Sequence, residues 1–76
     1  MMMNATMLRQ LWSTVEETQT QTLRSLDDTS LVEQLLESLQ QKRPLAGDDM
    51  EELASYIRSH LILIRELAEG RLRSMA

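Results

Sequence analysis

No cysteine and no phenylalanine occur in these 76 residues, and one tryptophan and one tyrosine make up the whole aromatic content. Without thiols there is no disulfide framework and no thiolate zinc site, and the composition suits a reducing, cytoplasmic setting. A single proline and two glycines supply too little turn chemistry for an all-β fold. The longest apolar run, 61–64, is far shorter than the roughly 20 residues a bilayer-spanning helix needs, so no membrane span is expected. The first seven residues show no basic region leading into an apolar stretch, so no secretory leader is expected either.

Basic charge is scarce as well. Eight Lys and Arg stand against twelve Asp and Glu, for a net charge of −4. The imbalance sits in residues 1–41, where Arg9 and Arg24 face Glu16, Glu17, Asp27, Asp28, Glu33 and Glu37. A nucleic-acid binder draws most of its affinity from a basic stripe, and Lys42–Arg43 is only one pair. Arg71 and Arg73 fall at a helix end, where the dipole favours them. Direct nucleic-acid binding is therefore not expected.

What is present is helical rhythm. Leu8, Leu11, Trp12 and Val15, followed by Thr18, Thr22 and Leu26, keep three-four spacing over about 4–26. The alternating threonines at 18, 20 and 22 would also suit a strand, but a lone strand has no partner in this chain. Ser30 with Glu33 reads as a capping box opening a helix over 31–42 on Leu31, Val32, Leu35, Leu36 and Leu39. A heptad starting at Leu8 runs across this boundary, so the first two helices could also form one continuous rod. Pro44 stops the second helix, and 43–47 is a loop. Asp48 or Asp49 then caps a helix over 49–70, with Glu51 and Glu52 at the favourable end of its dipole. Setting Met50 as heptad position a places Ile57 and Ile64 at a, and Leu53, His60 and Leu67 at d. Gly70 is a candidate left-handed cap or weak point. The expected organisation is a disordered start at 1–3, one all-α domain of two or three helices over 4–70, and a frayed tail at 71–76.

Helices over 4–26 and 49–70 would run about 32–35 Å each and the helix over 31–42 only about 18 Å. A short helix cannot cover both long ones, and a chain this small buries only about 60% of its unfolded surface. The expected answer is a helical hairpin or bundle completed by two-fold dimerisation. Its candidate dimer core is Trp12, Ile57, His60, Leu61, Ile64 and Leu67. A candidate partner face comprises Ile62, an apolar residue opposite the core stripe, with Arg58 and Arg65 on either side. Such a face suits an acidic amphipathic segment of another protein.

Catalytic signals are weak. His60, the only histidine, lacks an acidic residue directly after it, and Leu63 and Ile64 stand where a phosphotransfer helix carries Lys and Gly. It reads as a packing residue; paired across a dimer, its protonation near pH 6 would oppose association. The acidic cluster at 48–52 lacks the ligand alternation of a calcium loop and reads as helix capping. Ser30 and Ser59 have no second histidine or glycine elbow near them. No cofactor, metal or catalytic residue is expected. The function expected from these observations is that of a small acidic, non-enzymatic interaction, regulatory or assembly module. The alternatives are a phosphotransfer or kinase-like dimerisation module using His60, and an acidic protein occupying a nucleic-acid binder's basic groove. If dimerisation hides surplus apolar surface, sedimentation at micromolar concentration returns twice 8.8 kDa, and a species of 8.8 kDa removes that expectation.

Overall fold

The computed structural model describes residues 4–75, and within them every regular element is helical. The expected start at 1–3 and the last residue, Ala76, lie outside the described residues. There are five helices rather than two or three: α1 (Ala5–Glu17), α2 (Thr20–Ser25), α3 (Asp28–Lys42), α4 (Gly47–Ser59) and α5 (Leu61–Met75). The difference comes from two breaks inside the long helices the periodicity predicts, and from the gap before α3.

α1 opens on Asn4, whose side-chain oxygen accepts from the Met7 N–H at 2.8 Å. It stops at the threonines. The Thr18 hydroxyl donates back to the Thr14 carbonyl at 2.7 Å, and Thr18 and Gln19 adopt extended backbone. Side chains that bond their own preceding turn compete with the helix ladder, and β-branched residues add χ1 restriction. The threonine run thus breaks the helix without forming a strand. α2 lasts six residues and ends at Ser25, with Leu26 in extended backbone as its C-cap. The register from Leu8 therefore does not describe one continuous rod.

The cap of α3 also differs from expectation. Asp27, not Ser30, is the N-cap: its carboxylate accepts from the Ser30 N–H at 3.3 Å, and Ser30 lies inside the first turn. The Ser30 hydroxyl and backbone N–H hold the Asp27 carboxyl below its ordinary value of 3.8. After the proline loop, Gly47 is the first residue of α4, and Ala46 is its N-cap with no side-chain bond. Asp48 and Asp49 sit in the first turn, complementing the dipole rather than capping.

The second break is at His60. Its backbone N–H donates to the Tyr56 and Ile57 carbonyls at 3.1 and 3.0 Å, and its own carbonyl accepts from Ile64 at 2.9 Å. The ring Nδ1 donates to the Tyr56 carbonyl at 2.8 Å, and the Ser59 hydroxyl donates to Ser55 O at 2.9 Å. Two adjacent polar side chains bonding the previous turn separate α4 from α5. Past Gly70 the helix continues to Met75, so residues 71–75 are helical where a frayed tail was expected.

No described residue has positive φ, glycines included. The ends of α1 and α2 therefore lack the left-handed glycine cap that ordinarily satisfies terminal carbonyls. Two arginines of α5 take its place. Arg71 Nη1 donates to Thr18 O at 2.8 Å, while Nη2 donates to Val15 O and Glu16 O at 2.9 and 3.0 Å. Arg65 donates to Leu23 O and Leu26 O at 2.8 and 2.9 Å, and to the Asp28 carboxylate at 2.8 Å. Each guanidinium bonds carbonyls at a helix end, of which Val15 O also accepts from the Thr18 N–H at 3.2 Å, and places positive charge at a helix C-terminus. Arg24 pairs with Glu69 at 2.8 Å, drawing α2 onto α5.

With α5 held to α1 and α2, the remaining packing follows. α3 lies between α1 and α4, and α4 turns into α5. The core combines Met7, Leu11 and Val15 of α1, Leu23 of α2, and Leu31, Val32, Leu35 and Leu39 of α3. Leu53 and Ile57 of α4 and Leu61, Ile64 and Ala68 of α5 complete it. Thr14 is buried and satisfied: its hydroxyl donates to Gln10 O at 2.8 Å and accepts from Lys42 Nζ at 3.1 Å. Because the long rods are broken, the chain folds back over its own apolar stripes. The long uncovered half-stripes assumed from helix length do not exist.

Replacing Arg71 by Met should lower unfolding free energy by about 2 kcal/mol or more in denaturant titration, since charge-assisted bonds to carbonyls are lost. Arg71→Lys should recover only part, because one ammonium does not span three carbonyls. Asp27 sets an acid limit. A carboxyl whose pKa is lowered by folding contributes stability above its unfolded value, and loses it as pH falls through the folded one. Thermal melts below pH 3.8 should thus fall less steeply for Asp27→Asn, which keeps the cap without the titration.

Candidate functional site

Large apolar side chains that remain exposed are Ile62, Leu63, Leu67 and Leu72, all on α5. They do not form one strip. Leu63 and Leu67 are one turn apart on one side of the helix, whereas Ile62 lies about 100° around the axis from Leu63. Ile62 is 77% exposed and Leu63 and Leu67 about half as much. One flank of α5 therefore presents a two-leucine ridge, and another presents Ile62.

The residues expected to form a dimer core divide between inside and outside. Ile57, Leu61 and Ile64 are buried in this chain's own core, where a second copy does not reach them. Trp12 and His60 are half-buried, and Leu67 is open. Trp12 and His60 do come together. The Trp12 ring meets the edges of Tyr56 and His60 at centroid distances of 6.3 and 6.4 Å, and Tyr56 stacks on His60 at 4.0 Å. The one tryptophan and the one tyrosine thus seat the one histidine at the α4–α5 break. The Tyr56 carbonyl can only accept, so the proton in that bond sits on Nδ1, which leaves Nε2 as the ring's other nitrogen. The i, i+4 spacing of Tyr56 and His60 was a readable sign of this pair.

The expected partner face is altered by one residue. Arg58 and Ile62 are exposed, but the Arg65 guanidinium is committed to Leu23, Leu26 and Asp28. It braces the fold instead of facing a partner. Arg24 and Lys42 are likewise tied down, Lys42 by Glu17 at 2.6 Å. Among the described residues Arg58 makes no ion pair, and the same holds for Glu33 and Glu37.

Those two carboxylates belong to a feature the sequence reading missed. A groove of about 370 Å³ runs between α3 and α4, lined by Glu33, Leu36, Glu37, Gln40, Gln41 and Met50. Leu36 and Met50 provide its apolar surface and Glu33 and Glu37, one turn apart on α3, its charge. The signal was present as two glutamates at i, i+4 beside a leucine, but Glu33 had been read as a helix cap. A polar hollow of about 440 Å³ lies where α1 breaks, between residues that include Thr14, Thr18, Thr22 and Ser38. Its hydroxyls are uncharged, and Lys42 at its rim is already paired.

The acidic cluster at 48–52 does not assemble a metal site. Among the described residues no three His, Cys, Asp or Glu side chains are placed to hold an ion. No helix among them is long and apolar enough to cross a membrane. No protein-family model, curated protein or solved structure matches this chain.

Proposed function

We propose that this chain is a small acidic, non-enzymatic interaction module, acting in regulation or assembly and working as a homodimer. Its partner docks on the Leu63–Leu67 flank of α5. The observation that carries this reading is the confinement of every exposed large apolar side chain among the described residues to one helix. Scattered surface apolar residues are ordinary, but here all four fall on one helix, and two of them, Leu63 and Leu67, share a side of it. Leu63 and Leu67 have the i, i+4 spacing with which two amphipathic helices engage, so the fitting partner is an apolar helix face of another protein. The Trp12–Tyr56–His60 cluster stands next to this ridge in sequence, His60 being one turn before Leu63, and stiffens the helix end from which it starts. The absence of cysteine is in keeping with work in a reducing compartment such as the cytoplasm.

Photo-crosslinking tests this reading. A photoreactive residue at position 63 or 67 of the intact chain should trap the same protein species in native lysate. A probe at Glu51, exposed on α4, should not. Excess unlabelled wild-type chain should compete, and the Leu67→Glu variant should compete poorly. Capture that is identical from positions 51, 63 and 67 would remove the proposal.

A further inference from the structure

Two unsatisfied surfaces of this molecule match each other. On α4, Met50, Ala54 and Arg58 follow one another at four-residue intervals and so share one face of the helix. Met50 and Ala54 are half-buried, Ala54 packing in part against the chain's own core, and Arg58 is exposed. At the Met50 end of that face lies the groove with Leu36, Glu33 and Glu37. At the other end stands Arg58; Ile62, the most exposed of the large apolar residues, lies four residues further on in α5, beyond the break at His60. One end thus carries free carboxylates over an apolar surface. The other carries a free guanidinium beside an apolar side chain.

We propose that this face pairs with a second copy of the same chain, antiparallel, with the two-fold axis at Ala54. Ala54 is midway between Met50 and Arg58, so the rotation that sets Ala54 against itself sets Arg58 of each copy against Met50 of the partner subunit. Arg58 then reaches the groove that Glu33 and Glu37 flank, and each copy does the same for the other. Ala54 has no side chain beyond Cβ, which lets the two α4 helices approach closely at the axis.

Charge selects the occupant. A foreign acidic segment would satisfy Arg58 and Ile62 but leave Glu33 and Glu37 unpaired. A foreign basic segment would do the reverse. A second copy satisfies both in one closed contact, because an isologous interface meets every group twice. The acidic amphipathic segment expected to face Arg58 and Ile62 is, on this reading, the α3 helix of the partner subunit. The pairing rests on the homodimer reading above but uses the Arg58–Ile62 side of the molecule. The Leu63–Leu67 ridge stays open for a different protein.

Charge reversal on the full chain tests it, with sedimentation velocity as readout and far-UV circular dichroism as the check on folding. Arg58→Glu should weaken self-association by about tenfold or more, and so should Glu33→Arg with Glu37→Arg. An equimolar mixture of these two variants should sediment as a dimer, because each copy then offers what the other requires at both ends. A second measurement is independent of charge. In this cysteine-free chain, Ala54→Cys should give a disulfide-linked dimer under mild oxidation, and Arg58→Cys alone should not, since only position 54 meets itself. Three results would overturn the pairing: a wild-type chain that stays at 8.8 kDa across the micromolar range, a dimer indifferent to both reversals, or self-crosslinking at position 58 but not 54. A wild-type chain at 8.8 kDa would remove the homodimer reading together with this pairing, whereas either of the other two results removes the pairing alone. None of the three affects crosslinking of a foreign protein at positions 63 and 67.

Discussion

A helix that stops inside a folded chain leaves carbonyl groups without partners, and the usual remedy is a residue in left-handed conformation. This chain has none among its described residues, yet two of its helices stop against the core. The constraint is met from a distance. Arg71 receives the last carbonyls of α1, and Arg65 receives those of α2. α5 therefore cannot be displaced without exposing both ends at once. The core residues it contributes, Leu61, Ile64 and Ala68, are held in register by these polar contacts as well as by their own burial.

The same arrangement distributes charge between inside and outside. Arg24, Lys42, Arg65 and Arg71 act within the molecule, and the carboxylates of Glu17, Asp28 and Glu69 answer three of them. The acidic excess that reaches solvent includes Glu33 and Glu37 along the α3–α4 groove, and Arg58 is among the cations left open. A surface composed this way has acidic ground on α3 and a basic point at the far end of α4. That polarity came out of how the fold uses its other arginines, not out of the net charge.

The all-helical class was legible from periodicity and from the shortage of turn residues. So were most core positions: Leu11, Val15, Leu35, Leu39, Leu53, Ile57 and Ile64 lie on the stripes that spacing defined. The proline loop also stands near where the sequence placed it, one residue shorter because Gly47 opens α4. The breaks at Thr18–Gln19 and His60 were not legible, because apolar spacing continues through both while a side chain turns back onto its own helix. Asp27 outcompeted Ser30 as the cap for a related reason: the two are three residues apart, and the capping-box pattern favoured the wrong one. Arg65 looked like a surface residue beside Ile62 because its true partners are 37 to 42 positions away in the chain. Short-range patterns carry no trace of contacts at that separation. The α3–α4 groove was hidden likewise, since Met50 and Leu36 meet only after the hairpin closes.

The distance between Arg71 and the carbonyls it serves has a temporal side. The bonds join residues 53 to 56 positions apart, most of the length of the described chain. Helical bundles ordinarily fold quickly because their contacts are local. Here α1 and α2 leave the ribosome long before the helix that closes their ends, and α2, six residues long, is too short to persist alone. Without α5 the terminal carbonyls of α1 and α2 lose the arginine donors that satisfy them. Order at those two helix ends arrives only with α5, which makes their closure a late step of folding.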